Sequence, residues 1–316
     1  MNEAARGEVQ VWRPDDAGMC LRQQGPWDWL ITSNRELDEE RAGWCPAQLP
    51  DVARMEIHRS DPGRPHRFVI TSPTRKEDGL DWSRMGTWLA EEIYSGQRVL
   101  VDMDLLAFDV LLYLLPALQE LELSALGCLY IAPQDYIFSE KALSDQLMHP
   151  IEQPKAYVAL ALDADRKEAR HLVFLGFDLA RAWKFIASYD WDYDHLFVAV
   201  GEPAFVPNGR ERAIQAAMPW VADFQRDYPI HLHEIPAHDP DEVADWCARH
   251  WQDCQWLDIV PIGPKPMNLG ILWFYFGLQK HERGRVRLLY DFPIQQASRS
   301  RGIGKVYFYN CARLLR

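Results

Sequence analysis

Short apolar runs alternate with longer helix-like segments along most of this 316-residue chain. Strands that alternate with helices in this way are typical of a parallel sheet covered by helices on both faces. The pattern therefore predicts an α/β fold with mostly parallel sheets. The predicted strands are 27–32, 53–58, 67–72, 98–103 and 127–132 in the first half, and 171–177, 195–201, 230–236, 255–261 and 285–292 in the second.

Two parts of the chain repeat one order of features: strand, aspartate, turn, apolar helix, strand and proline. The aspartates Asp102 and Asp258 fall at matching places in the two copies. We interpret this as a degenerate internal duplication of a Rossmann-like unit, although any two α/β stretches share some of this order. The copies are 98–118 with 127–137, and 255–275 with 285–296.

This duplication predicts two Rossmann-like lobes in one chain. The N-terminal lobe would take residues 1–150 and the C-terminal lobe residues 151–316. The segment 139–155, which contains HPIEQP, breaks the alternation and is the predicted connection between them.

The turn Gly263-Pro264-Lys265-Pro266 separates a predicted strand from an apolar helix. A helix start presents unpaired N–H groups and a partial positive charge, and a lysine there adds to both, so the turn is a candidate anion site. The alternative is a turn that is only rigid. The matching turn of the first copy, 107–110, lacks the glycine and carries Asp109 where the second has Lys265. The sequence therefore predicts an anion site in the second lobe alone.

Further segments are predicted to reach the same edge, because ligands of open α/β sheets bind outside the carboxyl ends of the strands. The segment ASRSRGIGKVYFY at 297–309 combines hydroxyls, guanidinium groups and glycines, as a phosphate site requires. An exposed basic loop is the alternative for that segment. The candidates are Gly176, Asp178 and Arg181 after one strand, Gly201 and Glu202 after the next, and Arg299, Ser300 and Arg301 in the late segment.

Charge and motifs exclude several classes of function. The net charge of −12 argues against broad non-specific nucleic-acid binding, which needs a basic surface. The scattered cysteines, the lack of a signal peptide and the short apolar runs predict a cytoplasmic protein that does not bind a membrane. GIGK lacks Walker spacing, and no dinucleotide fingerprint, hydrolase elbow or metalloprotease motif occurs, so we predict no cofactor.

Two groups of residues could hold a metal ion. His231 and His233 alternate on a predicted strand, with Glu234 and His238 close behind, and such a set could bind zinc. Solvated or hydrogen-bonded histidines are the favoured interpretation. The three acids at 102, 104 and 109 could hold a divalent cation, but an acidic strand end followed by a helix start is favoured there. The sequence predicts no metal site.

The turn and its surroundings resemble the CRISPR-associated Rossmann fold (CARF) and related proteins of prokaryotic defence systems. The resemblance rests on strand, Gly-x-Lys-Pro-Met, apolar helix and strand over 255–292, and more weakly on 171–181. It implies that a cyclic oligonucleotide or another nucleotide binds with its phosphates on Gly263, Lys265 and Met267. Pro264 departs from the family's frequent threonine, and no effector nuclease domain is present.

The function expected from this resemblance is a nucleotide-binding sensor or regulator in an anti-phage defence system, with a partner protein from the same operon. Two alternatives stay open. The first is a phosphodiesterase-type enzyme on a nucleotide or phosphorylated substrate, in which Lys265 and Arg301 would stabilise developing negative charge. The second is a protein–protein assembly subunit. No motif identifies catalytic residues, so the sequence does not decide between an enzyme and a binding protein.

Overall fold

The computed structural model describes residues 9–33, 39–60, 67–136, 148–149, 155–156, 169–177, 182, 185, 189, 191, 193–214, 231–290, 294–295 and 300–311. The chain forms two compact units. The first is Met1–Ile137 together with Ala297–Arg316, and the second is Phe138–Gln296. The predicted division at residue 150 assigned the C-terminal segment to the second lobe. The structure instead returns that segment to the first unit, where it pairs as a strand.

The first unit is built on one eight-stranded sheet. Its strands are β1 (Val9–Trp12), β2 (Trp29–Thr32), β3 (Ala53–Arg59), β4 (Arg67–Thr71), β5 (Lys76–Asp81), β6 (Arg98–Asp102), β7 (Ala125–Tyr136) and, from the end of the chain, β16 (Ser300–Asn310). Its described helices are α1 (Pro14–Gln23), α2 (Glu39–Gln48), α3 (Met85–Glu92) and α4 (Phe108–Gln119).

This first sheet is mixed rather than mostly parallel. The order is β1-β16-β7-β6-β2-β3-β4-β5, and only the central strands β7, β6, β2 and β3 run parallel. Strands β4 and β5 follow β3 through short connections, and such connections force antiparallel pairing. On the other side β16 pairs antiparallel with both β7 and β1. The expectation of a mostly parallel sheet is therefore wrong for this unit.

The second unit has a six-stranded sheet that is mostly parallel, in the order β12-β11-β10-β13-β14-β9. Only β9 pairs antiparallel there, and β8 and β15 form a separate two-stranded pair. The strands are β8 (Met148–His149), β9 (Lys155–Ala156), β10 (Ala169–Phe174), β11 (Leu196–Gly201), β12 (His231–Ile235), β13 (Trp256–Pro261), β14 (Val286–Tyr290) and β15 (Ile294–Gln295). The described helices of this unit are α5 (Pro240–Gln252), α6 (Lys265–Gly277) and α7 (Lys280–Arg283).

In each sheet the order of the parallel strands reverses once. The first parallel strand of the second unit, β10, has β11 on one side and β13 on the other. In the first unit β2 has β3 on one side and β6 on the other. Chain segments that leave two such strands diverge, and the crevice between them is where open α/β sheets bind ligands. The reversal points are therefore the carboxyl ends of β10 with β13 and of β2 with β6.

The helices α4 and α6, which follow β6 and β13, are buried over most of their length. Each carries apolar residues almost all round, as expected for a helix enclosed by protein. Gly270 brings α6 close to α5, because a Cβ atom there would lie 2.4 Å from the carbonyl oxygen of Pro240 and 2.6 Å from the Cβ of Val243. Within the described chain, no helix combines the length and the apolar composition needed to cross a membrane.

Candidate ligand site at the carboxyl edge of the second unit

The turns that follow β10 and β13 lie in direct contact. A Cβ atom on Gly176 would lie 2.6 Å from the carbonyl oxygen of Ile262. A Cβ atom on Gly263 would lie 3.2 Å from the Cβ of Phe174 and 3.6 Å from the carbonyl oxygen of Leu175. Real Cβ contacts are almost never as short as the first of these distances, so Gly176 is the residue that lets the two turns approach. Of the predicted candidates, Gly176 and Gly263 are thus brought together.

Met267 extends this contact to the next strand. Its sulfur would lie 3.5 Å from a Cβ on Gly263 and 3.8 Å from a Cβ on Gly201, the last residue of β11. The Met267 side chain is fully buried. The first turn of α6 therefore packs beside the glycines that end β11 and follow β13.

The start of α6 has fewer backbone N–H groups than an ordinary helix start, because it contains two prolines. Pro264 is the N-cap, Lys265 the first helical residue and Pro266 the second, and no side chain caps the helix. The two prolines have no N–H, so Lys265 and Met267 carry the N–H groups of this start. The N–H of Asn268 donates to the carbonyl oxygen of Pro264 over 3.2 Å.

Two side chains give the α6 start its polarity. Lys265 is half-buried, and the first turn contains no acidic residue. Asn268 is only 4% exposed, and its Oδ1 accepts no hydrogen bond from the described residues. An amide oxygen buried without a donor is costly, so a donor from solvent or from a ligand would stabilise it. The edge thus combines glycine turns, a helix start and a lysine.

The remaining predicted residues are distributed differently. Ser300 and Arg301 lie on β16 in the first unit, and Arg301 is exposed beside Asp135, at 3.3 Å. Because Ser300 and Arg301 begin a strand, the alternative of an exposed basic loop is wrong for these two residues. Asp178, Arg181 and Arg299 lie outside the described residues. The grouping of all these residues with the Lys265 turn stays a prediction.

Deeper in the same sheet, three polar side chains form a row across neighbouring strands. Asp258 accepts hydrogen bonds from Arg287 and lies 3.1 Å from Nδ1 of His171, which stacks on Trp191 at 4.5 Å. Burial alone would raise the pKa of Asp258, but the bonds from His171 and Arg287 outweigh burial and lower it. His171 and Arg287 were not predicted, since only the register of the parallel strands aligns them with Asp258.

We found no protein family model, no curated protein and no solved structure that matches this chain. The similarity to CARF proteins therefore stays a resemblance in the residues 255–292. The case for a ligand site rests on the geometry of the edge itself.

The corresponding edge of the first unit is acidic. Asp109 is the second residue of α4, is fully buried and accepts two hydrogen bonds from Arg59, over 2.8 and 2.9 Å. At the reversal point, Asp102 ends β6 and is fully buried, while Arg41 of α2 pairs with Asp104. The Asp109 carboxylate thus compensates the partial positive charge at the start of α4, so this helix start is poorly suited to bind an anion.

The histidines near β12 do not form a metal site. No group of three or more histidine, cysteine or acidic side chains in the described ranges could hold a metal ion. His233 and His250 lie with ring centroids 5.9 Å apart, and His250 packs on Phe197 and Trp246. Burial first, then the charge of Arg170, lowers the pKa of His250 to about 4. These rings are packing elements that stay neutral near pH 7.

Proposed function

We propose that the second unit binds a phosphate-bearing ligand of the nucleotide class at the carboxyl edge of β10, β11 and β13. The observation that carries the proposal is the convergence of Gly201 and Gly263 on Met267 beside Lys265, with Gly176 against Ile262 of the same turn. The glycines let these turns pack closely beside the start of α6, and a helix start with a lysine supplies a phosphate with N–H donors and positive charge. The unit's strand order also reverses at this edge, where ligands of this fold class bind.

On this proposal the chain is a cytoplasmic nucleotide-binding sensor or regulator. The link to prokaryotic defence comes from the resemblance over 255–292, and a partner protein would receive the signal. The residues proposed to contact the phosphates are Gly263, Lys265 and Met267. Gly176 supports the turn from the neighbouring strand, since its contact with Ile262 fixes the spacing of the two turns.

We also propose that the two units arose by duplication. In each, a fully buried aspartate lies in the strand beside the unit's first parallel strand: Asp102 is the last residue of β6, and Asp258 is the third residue of β13. An almost wholly buried helix follows each of these strands, and the next parallel strand, β7 or β14, lies beside it. An experimental structure tests the idea by superposition of β2, β3, β6 and β7 on β10, β11, β13 and β14. Aspartates that fall on different strands, or several residues apart, would contradict it.

Thermal unfolding with a panel of linear and cyclic nucleotides tests the binding function. A ligand at 100 times its Kd stabilises the folded state by about 2.7 kcal/mol, which raises the midpoint by several degrees. Inorganic phosphate and nucleosides serve as controls for the phosphate and the base. A panel in which no compound shifts the midpoint would contradict nucleotide binding and favour the assembly subunit.

The same panel separates binding from catalysis. If a nucleotide raises the midpoint, chromatography of the mixture shows whether it is returned intact or hydrolysed. Glu202 follows Gly201 at this edge and is the described carboxylate placed to act as a base for the enzyme alternative. Hydrolysis that Glu202→Gln abolishes, with binding retained, would favour the phosphodiesterase-type enzyme over the sensor.

A further inference from the structure

A second polar group lies at the reversal point of the first unit, between the ends of β2 and β6. Asp102 is 0% exposed, and neither of its carboxyl oxygens has a hydrogen-bond partner of normal geometry among the described residues. The hydroxyl of Thr32, at the end of β2, is likewise buried and unpartnered within the described chain. An unpaired carboxylate in such a place is very costly, and buried acids in proteins neutralise instead.

One guanidinium faces two carboxyls here. Nη1 of Arg41 donates to Oδ1 of Asp104 over 3.0 Å and to the carbonyl oxygen of Ile131 over 3.4 Å, while Nη2 donates to the Ser300 hydroxyl over 2.7 Å. Arg41 therefore joins α2 to β7 and to the first residue of β16. Among the described residues, the Arg41 guanidinium donates to Asp104, Ile131 and Ser300, and neither carboxyl oxygen of Asp102 accepts a hydrogen bond from it.

We propose that Asp102 is a proton-binding switch: with the proton bound, Arg41 stays on Asp104 and Ser300, and release of the proton draws Arg41 toward Asp102 and frees the start of β16. The step is a proton transfer from the carboxylic acid to water, with no other reactant. Its consequence is local, since α2 loses its hydrogen bond to Ser300 when the guanidinium moves.

The surroundings favour the protonated form. Burial first, then the charge of Asp104, raises the pKa of Asp102 well above its ordinary value of 3.8. The Asp104 N–H, the Arg41 charge and the Thr32 hydroxyl act in the opposite direction without reversing the shift. The neutral acid can both donate and accept hydrogen bonds, so it suits a position beside the buried Thr32 hydroxyl.

The other titratable groups of the described chain that act on Asp102, Asp104 and Arg41 lie on α2, β3 and β7. Cys45 lies one helical turn beyond Arg41 on α2, and burial first, then Asp102, raises the pKa of its thiol, so it stays protonated. Arg54 of β3 acts on the same thiol. From β7, Tyr130 faces Asp104 and Arg41, and burial is the largest cause of its raised pKa. As pH rises, Asp102 is therefore the first of these groups to ionise and to change the net charge of the network.

The sign of the effect follows from linkage. When the pKa of an acid is raised by folding, the folded state holds the proton more tightly than the unfolded state does. Folding is therefore most favourable at low pH, where the acid is protonated, and becomes less favourable as pH rises. Stability therefore declines as pH rises past 3.8 and continues to decline until the folded acid ionises. Asp102→Asn keeps the shape, removes the proton and should abolish this part of the pH dependence.

Hydrogen exchange on the full chain tests the switch. As pH rises above 3.8, protection corrected for intrinsic rates should fall by about tenfold or more in wild-type peptides that cover 39–48 and 300–310. In Asp102→Asn the protection of the same peptides should not change with pH. Asp258→Asn is the control, since it alters a buried acid in the other unit and should leave the pH dependence of these peptides as in wild type.

Infrared spectroscopy of the wild type gives a second measurement that needs no stable variant. A carboxylic acid C=O band should be present in the folded protein at neutral pH and disappear on alkaline titration. Absence of that band, or equal pH dependence of exchange in wild type and Asp102→Asn, overturns the proposal. Stabilisation of the wild type alone by ammonium or potassium, and not by tetramethylammonium, would also overturn it, because the pocket would then hold a monovalent cation in place of the proton.

Discussion

Asp258 and Arg287 form a bidentate ion pair between adjacent parallel strands, in which Nε and Nη2 of the arginine donate over 2.8 and 2.6 Å to the two carboxylate oxygens. Both residues are buried, with Asp258 at 0% and Arg287 at 7% exposure. The pair ties β13 to β14, the strands on either side of α6 in sequence. Its stability therefore bears on the scaffold of the proposed ligand site.

Asp258→Asn should destabilise the second unit by about 3–5 kcal/mol, because it leaves the buried Arg287 without its counter-charge. Denaturant unfolding measures the change. Asp253→Asn is the matched control: Asp253 pairs with Arg170 at 3.3 Å but its side chain is 67% exposed, so the loss should be about 0.2–1 kcal/mol. Equal losses of unfolding free energy in the two variants would show that the buried pair contributes no more to stability than the exposed one.

The Asp258–Arg287 pair also makes the stability of the second unit depend on pH in the acid range. Because the folded pKa of Asp258 is lowered, the stabilisation that its charge provides is present above the ordinary value of 3.8 and is lost as pH falls through the folded pKa. The difference in stability between wild type and Asp258→Asn should therefore shrink below pH 3.8. A difference that stays constant down to the acid unfolding of both proteins would contradict this.

Two glycines of α6 should respond in opposite ways to alanine. Gly270→Ala places a Cβ 2.4 Å from the Pro240 oxygen, so α5 and α6 must separate, at a cost of about 1–3 kcal/mol or more. Gly277 has no heavy atom within 4 Å of its Cβ position, and Gly277→Ala should be neutral or stabilise by about 0.5–1 kcal/mol. Thermal unfolding of both variants measures the contrast. A stable Gly270→Ala would show that the two helices do not cross so closely.

Lys265→Ala should weaken binding of the nucleotide selected by thermal unfolding by about 1.5–3 kcal/mol, since it removes a charge-assisted hydrogen bond. Folding stability should change little, because Lys265 is only half-buried. Calorimetric titration measures the affinity. Lys280→Ala, an exposed lysine of α7 in the same unit, controls for net charge and should bind as wild type does. Equal affinities for wild type and Lys265→Ala would remove Lys265 from the site.

His250 should make the second unit sensitive to mild acid. Its folded pKa is about 4 against an ordinary value of 6.5, so the unfolded chain takes up a proton first as pH falls. Stability should decline between pH 6.5 and about 4, and His250→Gln should flatten that decline. His281→Gln, at an exposed position on α7, should leave the pH profile as in wild type. Parallel profiles for wild type and His250→Gln would contradict the lowered pKa.

The sequence predicted strands best where a buried parallel strand makes a continuous apolar run, as at β6, β10 and β13. It did not predict β16, because the serine, arginine and glycine residues that begin that strand are typical of a loop. Nothing local in ASRSRGIGKVYFY indicates that β7 will be its partner, since pairing is decided by distant residues. The assignment of 297–316 to the second lobe failed for the same reason.

The candidate site was predictable only in part. Gly263 and Gly176 were identified because glycine after a strand indicates a turn with close backbone approach. The contact between those turns depends on strand order, which the alternation of elements does not determine. Similarly, Asp102 was noted as an acidic strand end, but the absence of a well-formed hydrogen bond to it from the described residues depends on how β2, β6 and α2 pack together.

The pairing of Tyr136 with Ser300, at the end of β7 and the start of β16, places the exit and the re-entry of the chain side by side in the first unit. The second unit is therefore an insertion at a hairpin tip rather than a tandem neighbour. A protein with residues 138–296 excised and a short turn in their place would keep every strand of the eight-stranded sheet. The hairpin tip can carry a whole folded unit because both ends of the insert start from neighbouring positions. Loss or exchange of the inserted unit in evolution would therefore require no rearrangement of the host sheet.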